Sequence, residues 1–342
     1  MALDSLAFEQ QAEWCRKLGS ELTARVLEAL VQVLDDSTAT GRLVCDWPGE
    51  AGPMKDVVPL RLTGALHAMV ASGQADGLAA VYPPNAIAPV ADLVPLVRGA
   101  VGDCDAQIMD FLQFSPQTNE VARAAVLIAG LSVVASETGL PLAVHEIGAS
   151  GGLNLNLDKF GYQLGDVSLG DAASGVQLAP KWTGDAPRMM PQIVARSGCD
   201  LNPIDVTDAD QALRLQSYVW ADQADRLDRV KAAISIAQKH PPHLDAMDAA
   251  DWVGQLNRFP PKKDQCRVLM HSIAWQYMPE AVQRRIQLSM EGAGARGDQV
   301  AWVAFELNAD GQAELTVRIW PDGGKRVVAE ANPHVQWVKW LG

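Results

Sequence analysis

Glu146-Ile147-Gly148-Ala149-Ser150-Gly151-Gly152 sets a carboxyl group at the end of a candidate strand and follows it with small residues. Such a run makes a tight turn whose backbone N–H groups can approach a ligand closely. Asp200, 52 positions after Gly148, stands in Gly198-Cys199-Asp200-Leu201-Asn202-Pro203. A carboxylate there can accept hydrogen bonds from two vicinal hydroxyls. Asp248 and His271 stand at two further candidate strand ends, in Leu244–Trp252 and Val268–Tyr277. His271 is a possible proton carrier. Ser115-Pro116-Gln117-Thr118-Asn119-Glu120 crowds polar groups at the mouth of an apolar helix, where free N–H groups favour anions. If that helix packs beside the Gly148 loop, Thr118, Asn119, Glu120 and Arg123 face the ligand. Each piece also has an ordinary structural explanation: Asp200 as a surface turn residue, Asp248 as a helix cap, His271 as a buried, hydrogen-bonded imidazole, Ser115 as a plain N-cap.

These residues need elements to hold them. Trp14, Leu18, Leu22, Val26, Leu30 and Val33 mark one helix face over 8–34, and a second helix runs from about Pro59 to Ser72. No alternating pattern appears before residue 140, so the N-terminal third reads as helical. Ser115-Pro116 reads as a helix start, with Gly139 and Pro141 ending that helix. From Leu142 onward, strand and helix patterns alternate, which argues for an α/β domain. Thr207 with Asp210 resembles a capping box at the head of a long amphipathic segment. Strand candidates at 313–320 and 326–330 flank Pro321-Asp322-Gly323-Gly324, a strong hairpin turn.

The chain has 342 residues, 48% hydrophobic and 20% charged, a globular composition. Its 28 basic and 41 acidic residues give a net charge of −13. That charge disfavours nucleic acid and anionic lipid as partners and leaves a small molecule as the expected one. Five cysteines with no CxxC spacing read as reduced thiols of a cytoplasmic protein. The N-terminus lacks a signal-peptide pattern. The longest apolar segment, Ala124 to Ala135, is too short for a membrane span. His240-Pro241-Pro242-His243 is an HxxH, but its prolines preclude the regular helix a metal site of that kind needs, so no metal is expected.

By spacing, the Glu146–Gly152 loop resembles the acidic-x-Gly-x-Gly-x-Gly loop of class I S-adenosylmethionine (SAM)-dependent methyltransferases, with Ser150 in the middle glycine position. The segments at Asp200, Asp248 and His271 follow in the order of that fold's second, third and fourth strands. The resemblance implies a class I methyltransferase-like (Rossmann-like) α/β domain over 115–342 with a seven-stranded sheet, on a helical subdomain over 1–114. The wide gap before Asp200 implies an insertion near 158–191; otherwise Asp158 or Asp166 takes the place of Asp200. On this resemblance Glu146, Gly148, Ser150, Gly152, Asn154, Asp200 and Asp248 hold SAM. Thr118, Asn119 and Arg123 face the substrate, and His271 or Glu120 is the base. Gly148-Ala149-Ser150-Gly151-Gly152 also matches G-x-S-x-G, the nucleophile elbow of α/β-hydrolases, with Ser150 as nucleophile and His271 or His334 as base. The helical texture upstream argues against it. A third possibility is a non-catalytic metabolite- or partner-binding protein of the same fold.

Taken jointly, Pro116–Val121, Glu146–Asn154, Gly198–Pro203, Tyr218–Gln223, His271-Ser272-x-x-Trp275-Gln276-Tyr277 and Trp320-Pro321-x-Gly323-Gly324 resemble an uncharacterised bacterial family, the domain of unknown function twenty-three thirty-two. The resemblance spans nearly the whole chain and carries no activity with it. Gly151 stands where the family pattern has alanine, and Val335 where it has glycine.

Overall fold

The strand candidates at 142–147 and 313–320 both become strands of one large sheet in the computed structural model, which describes residues 3–53 and 55–342. Seven helices come first: α1 (Ser5–Lys17), α2 (Glu21–Val33), α3 (Ala39–Cys45), α4 (Val58–Ala71), α5 (Asp76–Ala79), α6 (Val90–Asp103) and α7 (Asp105–Leu112). Helix α8 (Ala124–Thr138) leads into β1 (Leu142–Ile147). Then come β2 (Gly161–Leu164), β3 (Val167–Gly170), β4 (Gln177–Leu178), β5 (Lys181–Thr183) and β6 (Ile193–Asp200). Helices α9 (Ala209–Ser217) and α10 (Ala224–Lys239) precede β7 (Leu244–Ala246), α11 (Ala249–Leu256), β8 (Cys266–Ser272) and α12 (Glu280–Ala295). The chain ends with β9 (Val300–Leu307), β10 (Ala313–Ile319), β11 (Arg326–Ala331) and β12 (Trp337–Trp340).

Two compact units result: Met1–Thr118 with Asp208–Asp228, and Asn119–Thr207 with Arg229–Gly342. The first is helical. Its single apolar face over 8–34 is broken into α1 and α2 at Leu18-Gly19-Ser20, where Gly19 takes φ +85° and Ser20 caps α2. The amphipathic segment after Thr207 is likewise two helices, α9 and α10. The cap of α9 is Asp208, whose Oδ1 accepts from Gln211 N at 2.9 Å, while Thr207 bonds Asp205 instead.

The second unit is built on a sheet of nine strands rather than the expected seven, in the order β5-β12-β11-β10-β9-β8-β1-β6-β7. The two extra strands are β12 and β5. The C-terminal hairpin continues into β12, and β5 from the insertion pairs parallel to β12. Strand β5 thereby forms one edge of the sheet, and its Trp182 stacks on Trp340, ring centroids 5.6 Å apart. The rest of the 158–191 insertion is a small sheet, β3-β2-β4. Strands β7, β6, β1, β8 and β9 are mutually parallel. Numbered along the chain, their spatial order is 3-2-1-4-5, so the winding direction reverses between β1 and β8.

Helices cover both faces of this sheet. Helix α8 lies against β8, β9 and β10. It sits close because Gly130 has no side chain: a Cβ there would come within 2.8 Å of Val303. Val121–Thr138 is apolar enough to cross a membrane, but 72% of that window is buried inside the fold, so core packing accounts for its apolarity. The opposite face carries a second core in which Ile147, Cys199, Leu269 and Trp302 pack with Ile286 and Met290 of α12. Ser115-Pro116 does not start a helix. Asn119 takes φ +24° and Glu120 is extended; a short 3-10 turn, Val121–Arg123, then opens α8, capped by the Glu120 carboxylate.

Candidate functional site

The loop after β1 turns on three left-handed residues, Gly148 (φ +65°), Ser150 (φ +54°) and Gly152 (φ +65°). Neighbouring segments clamp it. Ala149 N donates to Cys199 O at 3.0 Å, and Ile204 N to Ser150 O at 3.1 Å. A Cβ on Gly148 would meet Ala274 Cβ at 2.7 Å, and one on Gly152 would meet Pro242 at the same distance. Asp200, at the end of β6, anchors the loop directly. Its Oδ2 accepts from Ser150 N and its Oδ1 from Asn202 N, both at 2.9 Å. Four lone pairs serve two such bonds, so each oxygen retains capacity.

Beneath the loop Glu146 is 2% exposed, and its Oε2 is buried without a hydrogen-bond partner. Burial, with Asp200 nearby, pushes its carboxyl up to about 8, against the pull of Arg123. It is therefore mostly protonated at neutral pH and can donate a hydrogen bond. Asn154 is fully buried; its Nδ2 reaches Glu120 O at 3.4 Å, while its Oδ1 has no partner. Glu120, also buried, accepts from Ala122 N through Oε1, and its Oε2 lies 3.2 Å from His334 Nδ1. Arg123 ties two carbonyls together, donating from Nη1 to Ser272 O and from Nε to Pro333 O. Asn119 Oδ1 accepts from Leu153 N at 2.9 Å.

Backbone strain gathers at the same place. Among the described residues, five non-glycine residues have positive φ: Val57, Asn119, Ser150, Ile273 and Val335. The last four adjoin, or belong to, the groups just named. Each costs about 1–3 kcal/mol and persists only where its surroundings impose it. Ile273 and Val335 are β-branched, which makes the conformation less favourable still. Glycine, which the family resemblance implies at position 335, would adopt this left-handed conformation without steric cost.

Other residues selected from the sequence are placed differently. Asp248 caps α11, its Oδ1 accepting from Ala250 N and Asp251 N at 3.0 and 3.1 Å. His271 is 1% exposed and both its ring nitrogens are engaged. Trp302 Nε1 donates to Nε2 at 2.9 Å, so the hydrogen is on Nδ1, which donates to Glu306 Oε1 at 2.6 Å. That leaves no lone pair for a substrate proton. Thr118 is exposed and closes the helical unit, whereas Asn119 opens the sheet unit. The Glu120–His334 pair is what sequence reasoning missed, because the two lie 214 positions apart. The anomalous Val335 beside His334 was the available signal.

In sheets of parallel strands, ligands bind outside the carboxyl ends where the strand order reverses. Glu146, the Gly148 loop and the Ser272–Ala274 turn occupy that point, between β1 and β8. A cavity of about 440 Å³ adjoins the loop, lined by Gly151, Pro203–Thr207 and Pro241–Leu244. No curated protein and no solved structure matches the chain. Residues 5–340 do match the family described as an uncharacterized protein conserved in bacteria (DUF2332), and the chain belongs to that family.

Proposed function

We propose that the protein binds SAM at the carboxyl ends of β6, β1 and β8 and transfers its methyl group to a small molecule. The observation that carries this reading is the partnerless, buried Glu146 oxygen under a left-handed glycine loop at the strand-order reversal. Asp200 keeps lone pairs for two vicinal ribose hydroxyls. Asp248 uses Oδ1 for its cap and keeps Oδ2 for the adenine amino group. The adjoining cavity, which Gly151 of the loop lines, falls within the size range of small-molecule pockets. When bound, SAM supplies an electrophilic methyl group, and the chain's contribution is mainly positioning. For an acceptor that must lose a proton, the pair Glu120–His334 is the base. His334 donates from Nδ1 to the buried carboxylate and keeps Nε2 to receive the proton.

Isothermal titration with SAM and S-adenosylhomocysteine tests this. Micromolar binding is expected, weakened at least tenfold, about 1.4 kcal/mol, in Asp200→Asn. No heat and no thermal shift at millimolar ligand would overturn it.

A second reading has one observation in its favour. Ser150 takes φ +54° at the centre of a G-x-S-x-G directly after a strand, as a nucleophile elbow requires. Two features oppose it. The loop runs into 3-10 turns over Leu153–Lys159 rather than a supporting α-helix, and β1 is the first strand of its sheet. Labelling by a fluorophosphonate, abolished in Ser150→Ala, would select the hydrolase.

A further inference from the structure

A second cavity, of about 310 Å³, lies on the α12 face of β8, β9 and β10, and no residue of the Gly148 loop lines it. Its walls include Trp275, Trp302, Glu306, Glu314, Arg318 and Lys325. Glu306 and Glu314 face each other directly across the β9–β10 pair. Like charges in that position repel, so the pairing is unfavourable unless something positive lies between them. The available protein donors do not fill the gap. Glu314 Oε1 accepts from Asn308 Nδ2 at 2.9 Å. Glu306 Oε1 accepts from His271 Nδ1, Ala274 N and Trp275 N, at 2.6, 3.0 and 3.2 Å. Glu306 Oε2 is buried and has no partner. Arg318 is turned to other work: its Nε donates to Gly323 O at 2.9 Å, its Nη2 lies 3.6 Å from Glu291, and its guanidinium lies 4.8 and 5.9 Å from the ring centroids of Trp320 and Trp302. Lys325 is exposed, at the rim.

The indoles of Trp275 and Trp302 stand 5.4 Å apart at 64°, giving the cavity two walls that meet at an angle. Aromatic faces attract cations; Arg318 already lies over Trp302, so the remaining one is the face of Trp275 turned away from the stacked His271 ring. A bare metal ion is a poor fit: no group of three metal-ligating side chains occurs among the described residues. The space would also hold roughly ten waters at about 30 Å³ each. An organic cation with N–H donors fits both the charge and the size.

We infer that this cavity binds a small molecule through a protonated amine seated between Glu306 and Glu314, against the Trp275 ring. Lys325 at the rim makes the outer end of that molecule neutral or anionic. A nitrogen held as an ammonium has no lone pair, so it cannot accept a methyl group there. The inference is therefore independent of the methyl-transfer reading.

The test is isothermal titration of the full chain at neutral pH with benzylamine and with benzyl alcohol, its uncharged counterpart of similar shape. Saturable benzylamine binding is expected at millimolar concentration or below, with benzyl alcohol at least tenfold weaker. Glu314→Gln is expected to weaken benzylamine at least tenfold while leaving the melting temperature unchanged or higher, because it removes the like-charge pairing. Glu306→Gln should act in the same direction, but Glu306 also holds the Ala274–Trp275 turn, so Glu314→Gln decides. Failure of benzylamine to bind, equal binding of the two probes, or undiminished affinity in folded Glu314→Gln would each overturn the inference.

Discussion

Glu146 and His145 are adjacent residues of β1 with opposite responses to burial. Desolvation pushes the Glu146 carboxyl from an ordinary 4.5 up to about 8. Desolvation, with Arg267 nearby, brings the His145 imidazole from 6.5 down to about 4. A raised carboxyl means the folded state holds a proton the unfolded chain has released. Its stabilisation is complete below about 4.5 and is lost as pH rises through about 8. A depressed imidazole acts in reverse: its contribution is complete above about 6.5 and is lost as pH falls through about 4. Each group contributes a slope of about 1.4 kcal/mol per pH unit in its window. The two slopes cancel where the windows overlap, and only that of Glu146 acts between about 6.5 and 8. Glu146→Gln removes it. The stability of this variant relative to wild type should rise by up to about 2 kcal/mol across that interval. Urea unfolding of both proteins at pH 6.5 and 8 checks this; a pH-independent difference would show that the carboxyl is not protonated in the fold.

The loop between β1 and the 3-10 turns depends on its glycines for its path. Gly148 needs both its left-handed backbone and its missing side chain, since a Cβ would press on Ala274. Gly148→Ala should cost at least about 1–2 kcal/mol from backbone conformation alone and, on the proposed methyl-transfer function, abolish SAM binding by displacing the Ala274 turn. Chemical denaturation and titration of this variant check the two outcomes. Elements fixed by local pattern were legible in the sequence. Buried parallel strands β1 and β8 carry short apolar cores, Leu142–Val144 and Val268–Met270, and Pro321–Gly324 named its own hairpin. Elements fixed by distant partners were not. Ser115-Pro116 carries a helix-start signal, yet Asn119 and Glu120 are held in other conformations by contacts with Leu153 and His334. Strand β5 has three residues and exists only because β12, over 150 positions later, pairs with it. His271 looked catalytic because its partners Trp302 and Glu306 belong to another strand.

At the scale of the whole molecule, the chain order of the units matters most. The helical unit is not a contiguous N-terminal segment: it takes Asp208–Asp228 from beyond β6. Those residues complete it in specific ways. Tyr218 is buried with its ring edge-on to Phe111, centroids 5.3 Å apart, and its hydroxyl donates to Phe114 O. Its ring lies so close to Gly64 that a Cβ there would come within 2.8 Å. The Asp222 carboxylate accepts from Ser20 Oγ at 2.6 Å and Leu22 N at 2.9 Å, holding the start of α2. Losing a buried aromatic side chain costs about 3–5 kcal/mol, comparable with the stability of a small domain. A fragment ending at Thr118 should therefore show no cooperative thermal transition by circular dichroism. The same fragment joined through a glycine–serine linker to residues 208–228 should regain one, and Tyr218→Ala in that fusion should remove it again. A cooperative melt from the shorter fragment would mean that α1 to α7 suffice as a domain and that the returning segment is an attachment to it rather than part of its core.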